Sequence, residues 1–147
     1  MLYGIALALP CLLFKIVPID TSKVPNPKDY EIEMNGFELT LSGLFGLMFL
    51  QIAAVGWLAN PIYWLCCVFF ARQKYKISAI TALTSVAVGF GGTSLGFWFK
   101  LPSGTGAPPN MLLEKLLAGF WVWLSAPGLV ALISIFYLVK TPRIRQR

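Results

Sequence analysis

Histidine is absent from this sequence, and the residues that could do chemistry include three cysteines and six acids. The absence of histidine removes the commonest general base together with a common zinc and haem ligand. Cys66 and Cys67 are adjacent, which is compatible with acylation or metal binding, but no second cysteine pair accompanies them. We expect both to be small apolar residues of a helix. We predict no metal and no cofactor.

The acidic residues also fail to form a recognisable catalytic set. No Gly-rich phosphate loop or nucleophile elbow is present, and the acids lie outside the predicted spans. A lipid-modifying enzyme would need Glu31, Glu33, Glu38 or Glu114 to be essential. A proton-coupled pump would need an ionisable group at mid-membrane, and no predicted span carries one away from its ends. We predict that the protein is not an enzyme.

The composition indicates a membrane protein. The 147 residues are 57% hydrophobic and 12% charged, with a mean hydropathy of +0.72. Soluble domains carry roughly 45–50% apolar and about 25% charged residues, so the composition argues against a water-soluble globule. The net charge of +6 does not indicate nucleic-acid binding, because so much apolar surface could not stay in water. The odd cysteine count predicts no disulfide framework.

The apolar runs predict an all-α fold, a polytopic four-helix transmembrane bundle forming one domain over residues 1–147. A bilayer core about 30 Å thick requires roughly 20 apolar residues of helix. The predicted spans are residues 1–17, 51–71, 77–99 and 118–139. No basic residue precedes the apolar part of the first run, so we expect a short, retained span rather than a signal peptide.

The basic residues predict the orientation, because cytoplasmic loops are enriched in Lys and Arg. Seven of the twelve basic residues fall between spans two and three or in the tail. These seven are Arg72, Lys74, Lys76, Lys140, Arg143, Arg145 and Arg147. All six acids fall on the other side of the predicted topology. We therefore expect both termini in the cytoplasm and the two acidic segments outside.

The outer segment over residues 30–41 supports two alternatives. Apolar and polar residues alternate around Asn35-Gly36, which is typical of a β-hairpin. Asn35 followed by Glu38 also predicts a helix start with reciprocal capping, and the apolar run continues beyond strand length. We favour an interfacial helix from about Gly36, leading into span two. A proline-containing loop from Pro18 precedes it, and Asn110 is expected to cap the fourth helix.

Span three carries a face of small residues at three- and four-residue spacing. This face comprises Ser78, Thr81, Ala82, Ser85, Gly89, Gly92 and Gly96. Small residues let membrane helices approach closely, so the face predicts helix packing, either inside the bundle or against a separate subunit. A locally unwound ion site is a further alternative, although no buried carboxylate accompanies it.

Gln51, Trp57, Asn60 and Pro61 form the main polar interruption of span two. Pro61 leaves the carbonyl of Trp57 without its usual helix donor, which predicts a kink near residue 57. The Asn60 amide or hydroxyls of span three could satisfy that carbonyl, and the bend would then pack against span three. A ligand contact or a hinge is the functional alternative for these four residues.

Three short segments resemble a recurrent signature of small bacterial inner-membrane proteins with about four spans. The segments are Gly36-Phe37-Glu38, Gly56-Trp57-Leu58-Ala59-Asn60-Pro61 and Gly119-Phe120-Trp121-Val122-Trp123-Leu124-Ser125. The resemblance covers most of the chain after residue 35 and implies a bacterial inner (plasma) membrane location. It supports the helical interpretation of residues 36–50. Because no activity is assigned to that group, it implies no site residues.

These observations predict an integral membrane accessory or structural subunit that packs with other membrane proteins. The expected partners are the lipid bilayer and other membrane subunits or a second copy, with no nucleic acid. The alternative is a small transporter or pore formed by self-association.

Overall fold

The computed structural model describes residues 1–17, 31–102 and 110–140. The expected loop from Pro18, the Gly- and Pro-rich loop after residue 102 and the basic tail after residue 140 therefore lie largely or wholly outside the described residues. Three long apolar helices are joined to a small antiparallel sheet. The expectation of an all-α fold is confirmed only in part, because the chain is mostly helical but also contains a small antiparallel sheet.

Three helical segments are long and apolar enough to cross a membrane, Ala54–Ala71, Tyr75–Phe97 and Ala118–Lys140. They agree with the three later spans expected from the sequence. The α-helical parts are α3 (Ala59–Ala71), α4 (Tyr75–Ser94) and α5 (Ala118–Lys140). Helix α4 lies between the other two and packs extensively against both. The three helices indicate a membrane protein.

The turn between α3 and α4 is tight and places Gln73 in the left-handed region, with φ 57°. The amide of Gln73 donates to the carbonyl of Phe70, and the amide of Lys74 donates to the carbonyl of Phe69. These bonds satisfy carbonyls that the end of α3 leaves free. Because α5 runs in the same direction as α3, Lys140 lies at the same end of the bundle as this basic turn.

The first predicted span is wrong. Residues Leu2–Ala8 form a short helix, α1, and Pro10–Val17 form a strand, β1, instead of one membrane-spanning helix. An apolar run of about eight residues is compatible with a buried strand as well as with a helix segment. Proline is tolerated at the first position of a strand, and Pro10 begins this one. Without this span, the expectation of a cytoplasmic N terminus loses its basis.

The sheet has the strand order β2-β1-β4-β3, with β2 at Glu31–Asn35, β3 at Leu101–Pro102 and β4 at Asn110–Leu116. Strand β1 pairs antiparallel with both β2 and β4. Asn110 begins β4 and does not cap the fourth helix, because the sequence up to Leu116 pairs with β1. A register irregularity between Pro10 and Leu12 accompanies burial of two successive side chains, Cys11 and Leu12.

The sheet and the N-terminal end of α5 share the larger hydrophobic core. Its buried side chains are Cys11, Leu12, Phe14, Met111, Leu113 and Phe120. Phe14 and Leu113 are directly paired across β1 and β4. The sheet therefore packs its apolar face on the end of the helical bundle, opposite the basic turn.

The capping signal in the outer segment is confirmed. Helix α2 spans Gly36–Met48, and both halves of the capping box at Asn35 and Glu38 are present. The carboxamide oxygen of Asn35 accepts from the Glu38 amide at 2.9 Å, while a Glu38 carboxylate oxygen accepts from the Asn35 amide at 3.0 Å. The hairpin alternative is wrong, because residues 31–35 pair with β1 and the chain becomes helical at Gly36.

Candidate functional site

The predicted small-residue face of α4 lies mostly inside the bundle. Its buried members are Ser78, Ala82, Ser85, Gly89, Gly92 and Gly96, while Thr81 is only partly buried. The hydroxyl of Ser85 donates to the carbonyl of Ala59 at 2.8 Å, which joins α4 to the start of α3. The hydroxyl of Ser78 donates to the carbonyl of Cys66 at 3.1 Å. These contacts are made within the chain, so this face is not open to another subunit.

Near the N-terminal end of α4, Ser134 of α5 completes a small polar cluster. Its hydroxyl donates to Ser78 Oγ at 3.1 Å, and Cys66 Sγ lies 3.7 Å from that oxygen. Cys66, Ser78 and Ser134 are all fully buried. Each polar atom has a partner within the cluster, so the cluster joins the three helices and leaves no group directed toward a ligand.

The expected interruption near Asn60-Pro61 coincides with a change of helix type. Residues Ile52–Leu58 form a 3-10 helix, and α3 begins at Ala59. The amide of Ala59 bonds to the carbonyls of Gly56 and Trp57, so the tighter winding supplies a donor where Pro61 has none. Gln51 precedes the 3-10 helix, and the indole of Trp57 donates to the carbonyl of Thr40 in α2 at 2.8 Å.

Asn60 is 5% exposed and joins three helices through one atom. Its carboxamide oxygen accepts from the Tyr3 hydroxyl at 3.0 Å and from Trp123 Nε1 at 2.9 Å. An indole N–H can only donate, so the carboxamide atom of Asn60 that faces Trp123 must be the oxygen and not the nitrogen. The expected bond from Asn60 to the Trp57 carbonyl is not formed among the described residues, and the amide points elsewhere.

A cavity of about 180 Å³ lies between the sheet, α1, α2, the 3-10 helix, the C-terminal end of α4 and the N-terminal end of α5. Most of its wall is apolar, including Ala6, Phe14, Leu39, Ala54, Leu113 and Phe120. Ser42, which is exposed, lies at its edge on α2. Among the described residues that line the cavity, none carries a charge.

Five neutral residues with hydroxyl or carboxamide groups line the same cavity, namely Thr40, Ser42, Gln51, Asn60 and Thr93. The carboxamide oxygen of Asn60 accepts its two hydrogen bonds from Tyr3 and Trp123. The amide nitrogen of Asn60 donates no hydrogen bond to any residue of the described ranges 1–17, 31–102 and 110–140. The hydroxyl of Thr93 likewise donates to none of the described groups. By contrast, the hydroxyls of Thr84 and Ser94 on the same helix donate to the carbonyls of Ile80 and Phe90. The cavity therefore combines an apolar wall with neutral hydrogen-bonding groups.

Helix α4 has a second small-residue face, directly opposite the first. Thr84, Ala87, Gly91 and Ser94 recur at three- and four-residue spacing, and the first three are exposed. A Cβ atom added to Gly91 would meet nothing within 4 Å. We call these four residues the outer stripe. The outer stripe has the same three- and four-residue spacing as the first small-residue face. In the sequence, neighbouring large residues such as Leu83 and Phe90 make this spacing hard to recognise.

Sequence reasoning identified Asn60 but missed Tyr3, Trp123 and Thr93. Tyr3 and Trp123 are 57 and 63 residues from Asn60 in the chain, so spacing carries no signal for the contact. Among the described residues, no group of three His, Cys, Asp or Glu side chains is arranged to hold a metal ion. Comparison of the chain with protein-family models, curated proteins and solved structures gave no match.

Proposed function

We propose that this protein is a noncatalytic accessory subunit that packs against another integral membrane protein through the outer stripe of α4. The single observation that carries the proposal is the exposure of Ala87 and Gly91, four residues apart, on a helix apolar enough to cross a membrane. Helices gain little from leaving lipid unless their backbones approach closely, and small residues at this spacing allow that approach.

The hydroxyls of the outer stripe suit such an interface. Thr84 and Ser94 donate to carbonyls of their own helix at 2.9 and 2.7 Å, so neither has an unmet donor in lipid. A partner helix can therefore pack on the stripe without having to satisfy them. Other exposed positions of the long helices carry large side chains such as Leu132 and Phe136, which suit acyl chains.

The positions of the acids support the noncatalytic part of the proposal. Glu31 and Glu33 are exposed on the edge strand β2, and Glu31 lies opposite Lys15 of β1. Glu38 is engaged in the capping box of α2, and Glu114 is exposed on β4. None of these four lines the cavity.

We also propose that the basic end of the bundle faces the cytoplasm of a bacterial inner membrane. The α3–α4 turn carries Arg72 and Lys74, and Lys140 lies at the same end. An excess of Lys and Arg in short loops marks the cytoplasmic side. The sheet end then faces outward. Cysteine labelling at residue 73 from the cytoplasmic side only is the expected result.

The test of the proposed interface is a pair of glycine substitutions. Gly91 and Gly128 both lie in long helices, and an added Cβ meets nothing within 4 Å at either position. The full chain is purified in mild detergent after crosslinking through Ala87→Cys, and the crosslinked partner is identified by mass spectrometry. Gly91→Leu should abolish the crosslink, whereas Gly128→Leu should leave it unchanged.

Three other results would count against this proposal. Equal crosslinking in the Gly91→Leu and Gly128→Leu variants would show that the outer stripe is not part of the interface. A crosslinked product containing only this chain, together with solute flux into vesicles of this protein alone, would favour a self-associated transporter or pore. Loss of a lipid-modifying activity on Glu114→Gln would establish an enzyme.

A further inference from the structure

The cavity beneath the sheet leaves a specific group without a partner. The carboxamide oxygen of Asn60 is held by Tyr3 and Trp123, so its amide is left directed away from them in the wall of the cavity. The Asn60 side chain is 5% exposed, and among the described residues no fully buried side-chain nitrogen or oxygen lacks a partner, so its amide is reachable from the cavity. The described residues supply no acceptor to it. A ligand that brings an acceptor oxygen into the cavity would give this amide a hydrogen bond.

We propose that the cavity binds the acyl-ester part of a membrane phospholipid, with the ester carbonyl accepting from the Asn60 amide. The Thr93 hydroxyl, which also lines the cavity and donates to no described group, provides a second donor. A carbonyl oxygen has two lone pairs and can accept from both. This site is independent of the outer stripe, which lies on the opposite face of α4.

Because no described residue of the cavity wall is charged, the cavity favours a ligand whose acceptor group is neutral. A carboxylate or phosphate would be expensive to desolvate in an apolar cavity without a cationic partner. An ester carbonyl has no such cost, while its acyl chain matches the apolar side chains of Leu39, Phe120 and Leu113. The phospholipid headgroup stays outside the cavity.

The position of the cavity indicates that the ester group comes from a lipid of the bilayer. It lies where the helices meet the sheet, and Trp57 and Trp123 both line it. Tryptophan is enriched at the level between headgroups and hydrocarbon, which is also the level of ester linkages. On the outer face of α2, Phe37, Phe45 and Met48 are exposed, so this helix is itself suited to contact with lipid.

The volume sets how much of the lipid enters. An apolar cavity of roughly 150 Å³ accommodates a molecule the size of benzene. The present cavity, at about 180 Å³, therefore holds the ester and a short part of one chain. The rest of the chain lies outside, on the apolar surface of the bundle.

The experiment uses the full chain reconstituted in phosphatidylcholine vesicles containing a phosphatidylcholine with a diazirine close to the ester of one acyl chain. After irradiation, labelled peptides are quantified by mass spectrometry. Labelling should concentrate on β4, whose buried Met111 and Leu113 line the cavity, relative to the lipid-facing surface around Leu132. Thr93→Val should reduce the cavity labelling about fivefold, as expected for one lost hydrogen bond. Thr84→Val is the matched control and should leave the labelling unchanged, because its hydroxyl bonds within the helix.

Asn60→Leu should reduce cavity labelling further, and thermal unfolding in detergent shows whether that variant is folded. If it is not, Thr93→Val alone decides the question. Labelling spread evenly over the apolar surface, or unchanged by Thr93→Val, would overturn the proposal. Displacement by a soluble quinone, with no phospholipid labelling in the cavity, would overturn it in favour of a quinone site.

Discussion

Gly56 and Gly92 place the backbones of the 3-10 helix and α4 in direct contact. A Cβ atom built on Gly56 would lie 2.8 Å from the amide nitrogen of Thr93, and one built on Gly92 would overlap the backbone of Gly56. Neither glycine has a positive φ, so both positions require glycine because of space and not because of conformation. This contact allows the tightly wound start of the first long segment to lie against α4.

Gly92→Ala should destabilise the protein, and the adjacent Gly91→Ala should not. The added methyl at Gly92 meets backbone, which cannot move aside, so we expect a loss of about 1–3 kcal/mol. At Gly91 the methyl enters open space, and alanine is the better helix former by roughly 1 kcal/mol. Thermal unfolding in detergent measures both. Equal effects at the two positions would contradict the close approach.

Asn60→Leu should lower stability clearly more than Leu65→Ala. The first change leaves the Tyr3 hydroxyl and the Trp123 indole without their acceptor, at about 1–3 kcal/mol for each buried group. Leu65 is 54% exposed on α3, so its truncation removes little protein contact. Thermal unfolding in the same detergent compares the two variants. Equal, small losses would mean that water or detergent replaces the Asn60 oxygen.

Gln73→Gly should stabilise the turn between α3 and α4. Gln73 has φ 57°, a conformation that costs a side-chain-bearing residue energy and glycine almost none. We expect a gain of about 0.5–1 kcal/mol, reduced by the greater entropy of glycine in the unfolded chain. Arg72→Gly is the control, because Arg72 has φ −82° and should gain nothing. A stability loss at Gln73 would show that its side chain matters more than its backbone.

The Cys11 thiol should make stability fall at alkaline pH. It is 4% exposed, and burial raises its pKa from 9.0 to about 11. Between these values the folded protein keeps the proton and the unfolded chain has released it, so the free energy of unfolding decreases as pH rises. Urea unfolding at pH 8 and pH 10.5 measures the change. The decrease should be smaller in Cys11→Ala, and identical decreases would mean that Cys11 reaches solvent.

Local signals in the sequence predicted several elements. The capping box at Asn35 and Glu38 depends on residues three apart, and it determined the start of α2. The three long segments follow from length and hydropathy alone. The sheet was missed because its strands are short apolar runs that also fit helices, and the pairing of Phe14 with Leu113 is remote in sequence.

The candidate site was predicted only in part, for a similar reason. Asn60 stands out as a polar residue within an apolar run, and Pro61 marks a change in the backbone. Nothing in the sequence indicates which donors reach the Asn60 oxygen, because Tyr3 and Trp123 come from different helices. Whether the Asn60 amide is left without a partner also depends on which donors reach the oxygen. A cavity is a property of the packed elements, which spacing along the chain does not encode.

The pairing of β1 with both β2 and β4 imposes an order on assembly. Strand β2 leaves the ribosome soon after β1, so that half of the sheet can form early. Strand β4 follows roughly a hundred residues later, which at 5–20 residues per second is a delay of about 5–20 s. Through that interval two of the three long helices must enter the membrane while β1 still has one unpaired edge. Closure of the sheet is therefore a late, high-contact-order step, which should limit the folding rate more than helix insertion does.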